Sequence, residues 1–250
     1  MLSVDKVESL LNVWRFPPTP AGSLIPGVWH LGTIGSFPID LDAKTMVWTW
    51  VTMFLVAVFA ISATRRMKVE KPGIMQNLLE MTWEGMQNMA HQSMDPVKAA
   101  SLMSVVVTFF LFILFANTLD IIPTLMAPTA DYQTTFALAL VSFVMIYIYG
   151  FRYTHGGFLR HFLTPFLPLV IIEEIAKPIT LAFRLFGNIF AGDLLTLVLL
   201  GMLGGWLHVF GGFAASVIWM AFSIFIGFIQ AFIFTVLTIA YIGQVVSTEH

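Results

Sequence analysis

The chain has 250 residues, 58% of them hydrophobic and only 10% charged, with a mean hydropathy of +0.87. Soluble domains carry about 25% charged residues, so an ordinary soluble domain and a disordered chain are excluded and a polytopic α-helical membrane protein remains. A net charge of −2 without a basic stripe argues against nucleic-acid binding; the lack of Cys removes disulfides and Cys-based metal sites, and six scattered His give no H-x-x-x-H zinc pair.

Residues 1–44 read as an external N-terminal segment. Phe16-Pro17-Pro18-Thr19-Pro20 and Gly22 break any helix there. Asp5 and Glu8 stand where a signal peptide needs positive charge, so no cleaved signal is expected. Trp14 and Trp29 suit either a membrane interface or a lid. The membrane domain is expected over 45–250. Its first span, Thr45 to Thr64, is free of acidic and basic residues but for its flank, and ends at Arg65-Arg66. Residues 73–92 mix Ile74, Leu78, Met81 and Met89 with Gln76, Glu80, Glu84 and Gln87, the pattern of an amphipathic helix on the membrane surface. Ala99 to Leu119, closed by Asp120, and Tyr132 to Phe151, between Asp131 and Arg152, are two more charge-free runs. Each run is about 20 residues, the length that crosses about 30 Å of hydrocarbon.

From Leu194 to Thr248 no Asp, Glu, Lys or Arg occurs, and Gly201 to Gly212 suggests a break. The expected fold is therefore all-α: about five membrane-embedded helices plus one cytoplasmic surface helix, the last two (about 166–200 and 213–246) long and tilted as a hairpin. No internal repeat supports a transporter of inverted halves. Arg65, Arg66, Lys68 and Lys71 follow the first span, Arg152 and Arg160 follow the third, and the 120–131 loop has two Asp and no basic residue. The positive-inside rule then sets the N-terminus and 120–131 outside and the C-terminus in the cytoplasm.

The stretch from Phe166 to Leu200 carries Glu173, Glu174, Lys177, Arg184 and Asp193. As one helix it would run about 52 Å, so it must tilt, kink or lie partly along the membrane. Charges inside a membrane are costly and mark function by default. At 100° per residue Glu173, Lys177 and Arg184 fall within about 40°, Asn188 about 40° beyond Arg184, and Asp193 on the opposite face. Glu173 lies about 16 Å from Arg184 toward one surface and Asp193 about 13 Å toward the other. Two offset half-paths with a cationic barrier between them would need that arrangement; a straight pore would not. Blander readings stand beside it. Glu173 and Lys177 also suit a structural ion pair, Pro178 a plain kink, Asn188 and Gln230 helix-packing amides, and Ser223 a hydroxyl bonded back to its own helix. Arg184, among Leu181, Ala182, Phe183, Leu185 and Phe186, is too far from either surface to snorkel easily. An antiparallel hairpin sets Gln230 at roughly its depth.

Lys177-Pro178-Ile179-Thr180-Leu181-Ala182-Phe183-Arg184-Leu185-Phe186-Gly187-Asn188-Ile189-Phe190-Ala191-Gly192-Asp193-Leu194 resembles the signature of subunit a of the F-type rotary ATP synthase, in a bacterial-like form. Gln230-Ala231-Phe232-Ile233-Phe234 with Leu237-Thr238-Ile239-Ala240-Tyr241 resembles a second signature, and Ala127-Pro128-Thr129-Ala130-Asp131 with Ala137-Leu138-Ala139-Leu140 a third. The resemblance covers about 45–250. It implies a non-catalytic, proton-channel stator subunit in the bacterial plasma (inner) membrane, with no cofactor and no metal. Its partners would be the c-ring, the peripheral-stalk b subunits, other synthase subunits and the lipid bilayer. Arg184 matches the arginine that faces the ring carboxylate and separates the half-channels. Asn188, Asp193 and Gln230 match polar residues of the outer half-channel, Asp120 an acidic position at its entrance, and Glu173 and Glu174 acids near the cytoplasmic half-channel. Some members place a His where Ser223 stands. The alternative reading is a self-contained ion channel or transporter, which needs a full pathway in one chain.

Overall fold

The computed structural model describes residues 28–34, 37–65, 67–68, 72–119, 127–154, 167–202 and 206–247. Six α-helices dominate them: α1 (Ala43–Thr64), α2 (Ile74–Ser93), α3 (Pro96–Leu119), α4 (Tyr132–Thr154), α5 (Leu167–Met202) and α6 (Trp206–Ser247), with one 3-10 turn at Pro128–Ala130. The chain is an all-α membrane protein. Among the described residues its one departure is an antiparallel hairpin, β1 (Val28–Ile34) and β2 (Phe37–Asp42), ahead of α1. Val28 pairs with Asp42 and Ile34 with Phe37, and the register shifts between His30 and Gly32, a bulge at Leu31. Trp14 and the 16–20 proline cluster lie outside the described residues.

The charge-free runs become helices at nearly their expected bounds. Four helices are long and apolar enough to cross a membrane: Thr45–Thr64, Pro96–Leu119, Tyr132–Tyr153 and Val217–Val246. The fifth long helix, α5, has 36 residues and carries the five charges. At 1.5 Å per residue α5 runs about 54 Å and the 42-residue α6 about 63 Å, both beyond a bilayer core. α6 begins at Trp206 rather than at 213 and holds Gly211 and Gly212 inside it. In an apolar surrounding a broken helix leaves amides without partners, which costs more than about 1 kcal/mol per helical glycine. Pro178 is likewise inside α5. It lacks an N–H, so the carbonyl of Glu174 loses its helical donor without the helix ending.

α3 is the centre. Leu102, Met103, Val106, Ile113 and Ala116 on it are fully buried. It packs on α6, α2 and α1, while α4 packs on α5 and α6. The α3–α6 seam is antiparallel. At one end Lys98 Nζ donates to the Val246 carbonyl over 3.3 Å. At the other, Asn117 Nδ2 donates to the Gly227 carbonyl over 3.2 Å. Phe109 meets Phe234 and Phe110 meets Phe228 edge-on between them. Two glycines permit the closest approaches. A Cβ at Gly227 would stand 3.0 Å from Asn117 Cβ, and one at Gly243 would stand 2.9 Å from Ser93 Cβ and 3.0 Å from the Ser93 carbonyl oxygen. The first half of α6 runs on past the Asn117 end of α3, and Ile218 and Phe225 there are exposed.

α2 is amphipathic, as expected. Met86 and Ala90 are buried against the bundle, and Ile74, Leu78 and Met81 form an exposed apolar stripe. Glu80 and Glu84 lie on the flank between that stripe and the buried side, with Gln76 Nε2 donating to Glu80 Oε1.

Candidate functional site on the two long helices

The exposure of α5 alternates with helical period, and this sorts its polar residues. Leu181, Ala182 and Leu185 are buried, whereas Ile172, Ile175, Ile179 and Phe183 are exposed. Projected at 100° per residue, the buried arc spans about 100° and the open arc most of the remainder. Arg184 lies in the open arc, with Glu173, Ala176, Thr180 and Ala191. Gly187 is close by, and a Cβ added to it meets nothing within 4 Å. The arginine therefore projects from an apolar surface among small neighbours, with room on its outer side. No acid pairs with Arg184 among the described residues.

Lys177 departs from expectation. By angle it belongs with Glu173 and Arg184, yet it is buried (7% exposed) and turned inward. It stands at the border of the two arcs, and its flexible stem bends toward charge. Lys177 Nζ lies 2.5 Å from Glu174 Oε1 and 3.7 Å from Glu173 Oε1. It also sits 5.6 Å from the centre of the Tyr241 ring on α6. Tyr147 of α4 donates its hydroxyl to Glu174 Oε2 over 3.4 Å. The expected Glu173–Lys177 pair thus exists only as the looser of two, because Glu173 points outward with 63% of its side chain exposed while Glu174 points in with 7%. One chain of polar groups, Tyr147–Glu174–Lys177–Tyr241, buried at its two central members, joins three helices.

Across the hairpin, two contacts bracket Arg184. Gly192 approaches Trp219, with 3.4 Å from a notional Cβ to the indole. Lys177 meets Tyr241 at the other end. Interpolation between them sets Arg184 level with about residue 230 of α6. Gln230 there is buried, and its Nε2 has no hydrogen-bond partner among the described residues. A buried amide left unpaired costs about 1–3 kcal/mol, which marks Gln230 as a polar group that calls for a partner. One turn before it, Gly227 receives the Asn117 bond, and Thr129 donates its hydroxyl to Asn117 Oδ1 over 2.9 Å. Asn117, Thr129 and Gly227 were not singled out as site residues by the sequence. The signals that could have found them are Asn117 near the end of an apolar span, where an amide needs a partner, and Thr129 within the 127–131 signature.

Asn188 is half-buried, at the border between the arcs. Asp193 belongs to α5 by its backbone, but its side chain lies outside the described residues, as does the whole of Asp120. Ser223 is half-buried and makes no hydrogen bond among the described residues, so the expected bond to its own helix is not formed. Thr235 and Thr238 do bond back to their helix, donating to the carbonyls of Ala231 and Phe234 over 2.8 and 2.9 Å. No cluster of His, Asp or Glu able to hold a metal occurs among the described residues.

Residues 46–243 match the family model described as ATP synthase A chain. The chain is 44% identical over 247 residues to the ATP synthase subunit a of Desulforamulus reducens, covering 97% of this chain and 91% of that protein. It is 35% identical to the subunit a of Streptococcus agalactiae serotype Ia (85% of this chain, 94% of that one). It is 33% identical to that of Listeria monocytogenes serovar 1/2a (87% and 98%).

Proposed function

The chain belongs to the ATP synthase subunit a family, and from that premise we propose that it is the proton-conducting stator subunit of the membrane sector, non-catalytic by itself. In this reading it offers two offset half-channels to a ring of c subunits and separates them by Arg184. The observation that carries the reading is Arg184, without a counter-charge among the described residues, on an exposed, apolar face of α5. A guanidinium facing lipid is unfavourable by at least about 2.5–3.5 kcal/mol at mid-membrane. A carboxylate presented by a neighbouring subunit removes that cost. The small residues Ala176, Thr180, Gly187 and Ala191 around it let another helix approach closely.

The physics then follows. At about 4 Å, a guanidinium attracts a carboxylate by roughly 4 kcal/mol at an effective dielectric of 20. That favours release of the ring's proton when its carboxyl reaches Arg184. The proton leaves by one half-channel, and the carboxylate takes another from the second before it turns back into lipid. The fixed charge of Arg184 also repels a bare proton, which closes the direct route between the two paths. Each charge moved gains about 2.3 kcal/mol per 100 mV. Asp120, Asp193, Asn188 and Gln230 line the outer path, and Gln230's Nε2, unpaired among the described residues, is free to hydrogen-bond there. Glu173, with its exposed carboxylate, opens the cytoplasmic path, beside the buried Glu174.

The bacterial inner membrane, an external N-terminus and segment 1–44, a cytoplasmic C-terminus and contact with b subunits complete the proposal; the basic residues Arg65, Lys68 and Arg152 at the ends of α1 and α4 support that orientation. A self-contained channel is disfavoured because Arg184 has no counter-charge within the described part of the chain. The test is affinity purification of the chain from native membranes in mild detergent. A ring of small helical-hairpin subunits should come with it, and proton-coupled ATP synthesis should vanish in Arg184→Ala. Retained synthesis in the fully assembled variant overturns the proposal.

A further inference from the structure

We infer that Lys177 and Glu174 are positioning residues, a buried polar tie that sets the rotation of α5 about its own axis and so aims Arg184; the inference rests on the function proposed above. Lipid and side chains are equally apolar, so apolar contacts alone specify the rotation of a membrane helix weakly. Around α5 the contacts are mostly of that kind: Leu181, Ala182 and Leu185 on the buried side, Ile172, Ile179 and Phe183 on the open side. A rotation of 20° carries a group about 6 Å from the helix axis through about 2 Å. Such a shift is half of a contact distance between Arg184 and an incoming carboxylate.

The tie is directional where packing is not. Tyr147 of α4 donates to Glu174 Oε2, Glu174 Oε1 takes Lys177 Nζ at 2.5 Å, and that ammonium rests over the Tyr241 ring of α6. α5 is thus held from both flanking helices by groups that lose their partners if it turns. Lys177 is two turns before Arg184 and about 20° from it in projection, so a fixed Lys177 fixes the arginine's bearing. Buried ion pairs add little net stability over an apolar pair, and specifying one arrangement is their better-attested use.

The chain has no cysteine, which permits a direct test. Phe136 of α4 meets Phe183 of α5 with ring centres 5.6 Å apart. Ser142 of α4 bonds Thr238 of α6 over 3.0 Å. Phe136→Cys/Phe183→Cys reports the bearing of α5, and Ser142→Cys/Thr238→Cys reports the bundle without α5. In native-membrane vesicles, with a short bifunctional thiol reagent, Lys177→Met should lower the first pair's cross-linking at least threefold and leave the second unchanged. Lys177→Arg should restore the first. Glu174→Gln/Lys177→Gln, which leaves no buried charge unpaired, serves if Lys177→Met does not accumulate, with the same expected split. Both pairs unchanged, or both falling together, overturns the inference, since simple loss of stability affects them alike. Neither readout needs the ring, so a failure of the proposed function shows separately, in the co-purification.

Discussion

Adding one methyl group at Gly243 should loosen the anchor of α6. A Cβ there would stand 2.9 Å from Ser93 Cβ and 3.0 Å from the Ser93 carbonyl oxygen. Ordinary carbon contacts lie at about 3.5–4.0 Å, so the helices must separate by roughly 0.6–1 Å. The obstacle includes backbone, which cannot rotate aside. The Lys98–Val246 bond, three residues on, is already 3.3 Å long and would pass the usual limit if the seam opened by that much. Overpacking costs about 1–3 kcal/mol, and the lost bond about 1 kcal/mol more. Against this, alanine is better than glycine in a helix by about 1 kcal/mol. Gly243→Ala should therefore destabilise the chain by about 1–3 kcal/mol. Gly85, inside α2, has nothing within 4 Å of a notional Cβ. Gly85→Ala should keep only the helical gain and stabilise by up to about 1 kcal/mol. Thermal unfolding in detergent, followed by tryptophan fluorescence, should move the two variants in opposite directions. If Gly243→Ala matches or exceeds the unsubstituted chain, the close approach of α6 to Ser93 is not what holds that end.

Asn117→Ala should cost about 1–3 kcal/mol, because it strands the fully buried Thr129 hydroxyl and removes the second bond to the Gly227 carbonyl; equal unfolding temperatures would argue that water replaces the amide. Gln230→Leu should be neutral or slightly stabilising, since its Nε2 is already unpaired, yet it should lower proton conduction of the assembled sector at least tenfold. Normal conduction would leave Gln230 a packing amide. Arg184→Lys keeps the charge but loses the planar fork, and ATP synthesis should fall below a tenth; near-normal synthesis would mean that a point charge suffices.

The spans were legible because lipid is an unforgiving solvent: twelve basic and fourteen acidic residues mark where helices may end. Thr45–Thr64, Ala99–Leu119 and Tyr132–Phe151 needed no knowledge of their neighbours. Arg184 stood out as a candidate for the same reason, since its cost in lipid is a property of the residue. What neighbours decide was not. Lys177 shares an angle with Arg184 on a bare wheel, but Glu174, Tyr147 and Tyr241 pull it inside. The Asn117–Gly227 bond joins residues far apart in sequence, and no local pattern announces it. The β1–β2 hairpin was missed because residues 1–44 were read as one helix-free external segment, although Gly35-Ser36 between two apolar runs is itself a hairpin signal. The start of α6 was set too late because glycine was weighed as in water, where a broken helix can find other partners.

Passive proton flux tests the central claim most directly. Vesicles holding the assembled membrane sector, with and without Arg184→Ala, are given a potassium diffusion potential and followed with an internal pH dye. The account predicts a tight wild-type sector with the ring locked by a covalent inhibitor of its carboxylate, and a steady leak in the variant, because both half-channels persist and only the barrier is gone. Equal, low flux in both would contradict it: Arg184 would not be the seal, and the paths assigned to Asp193, Gln230 and Glu173 would not meet there.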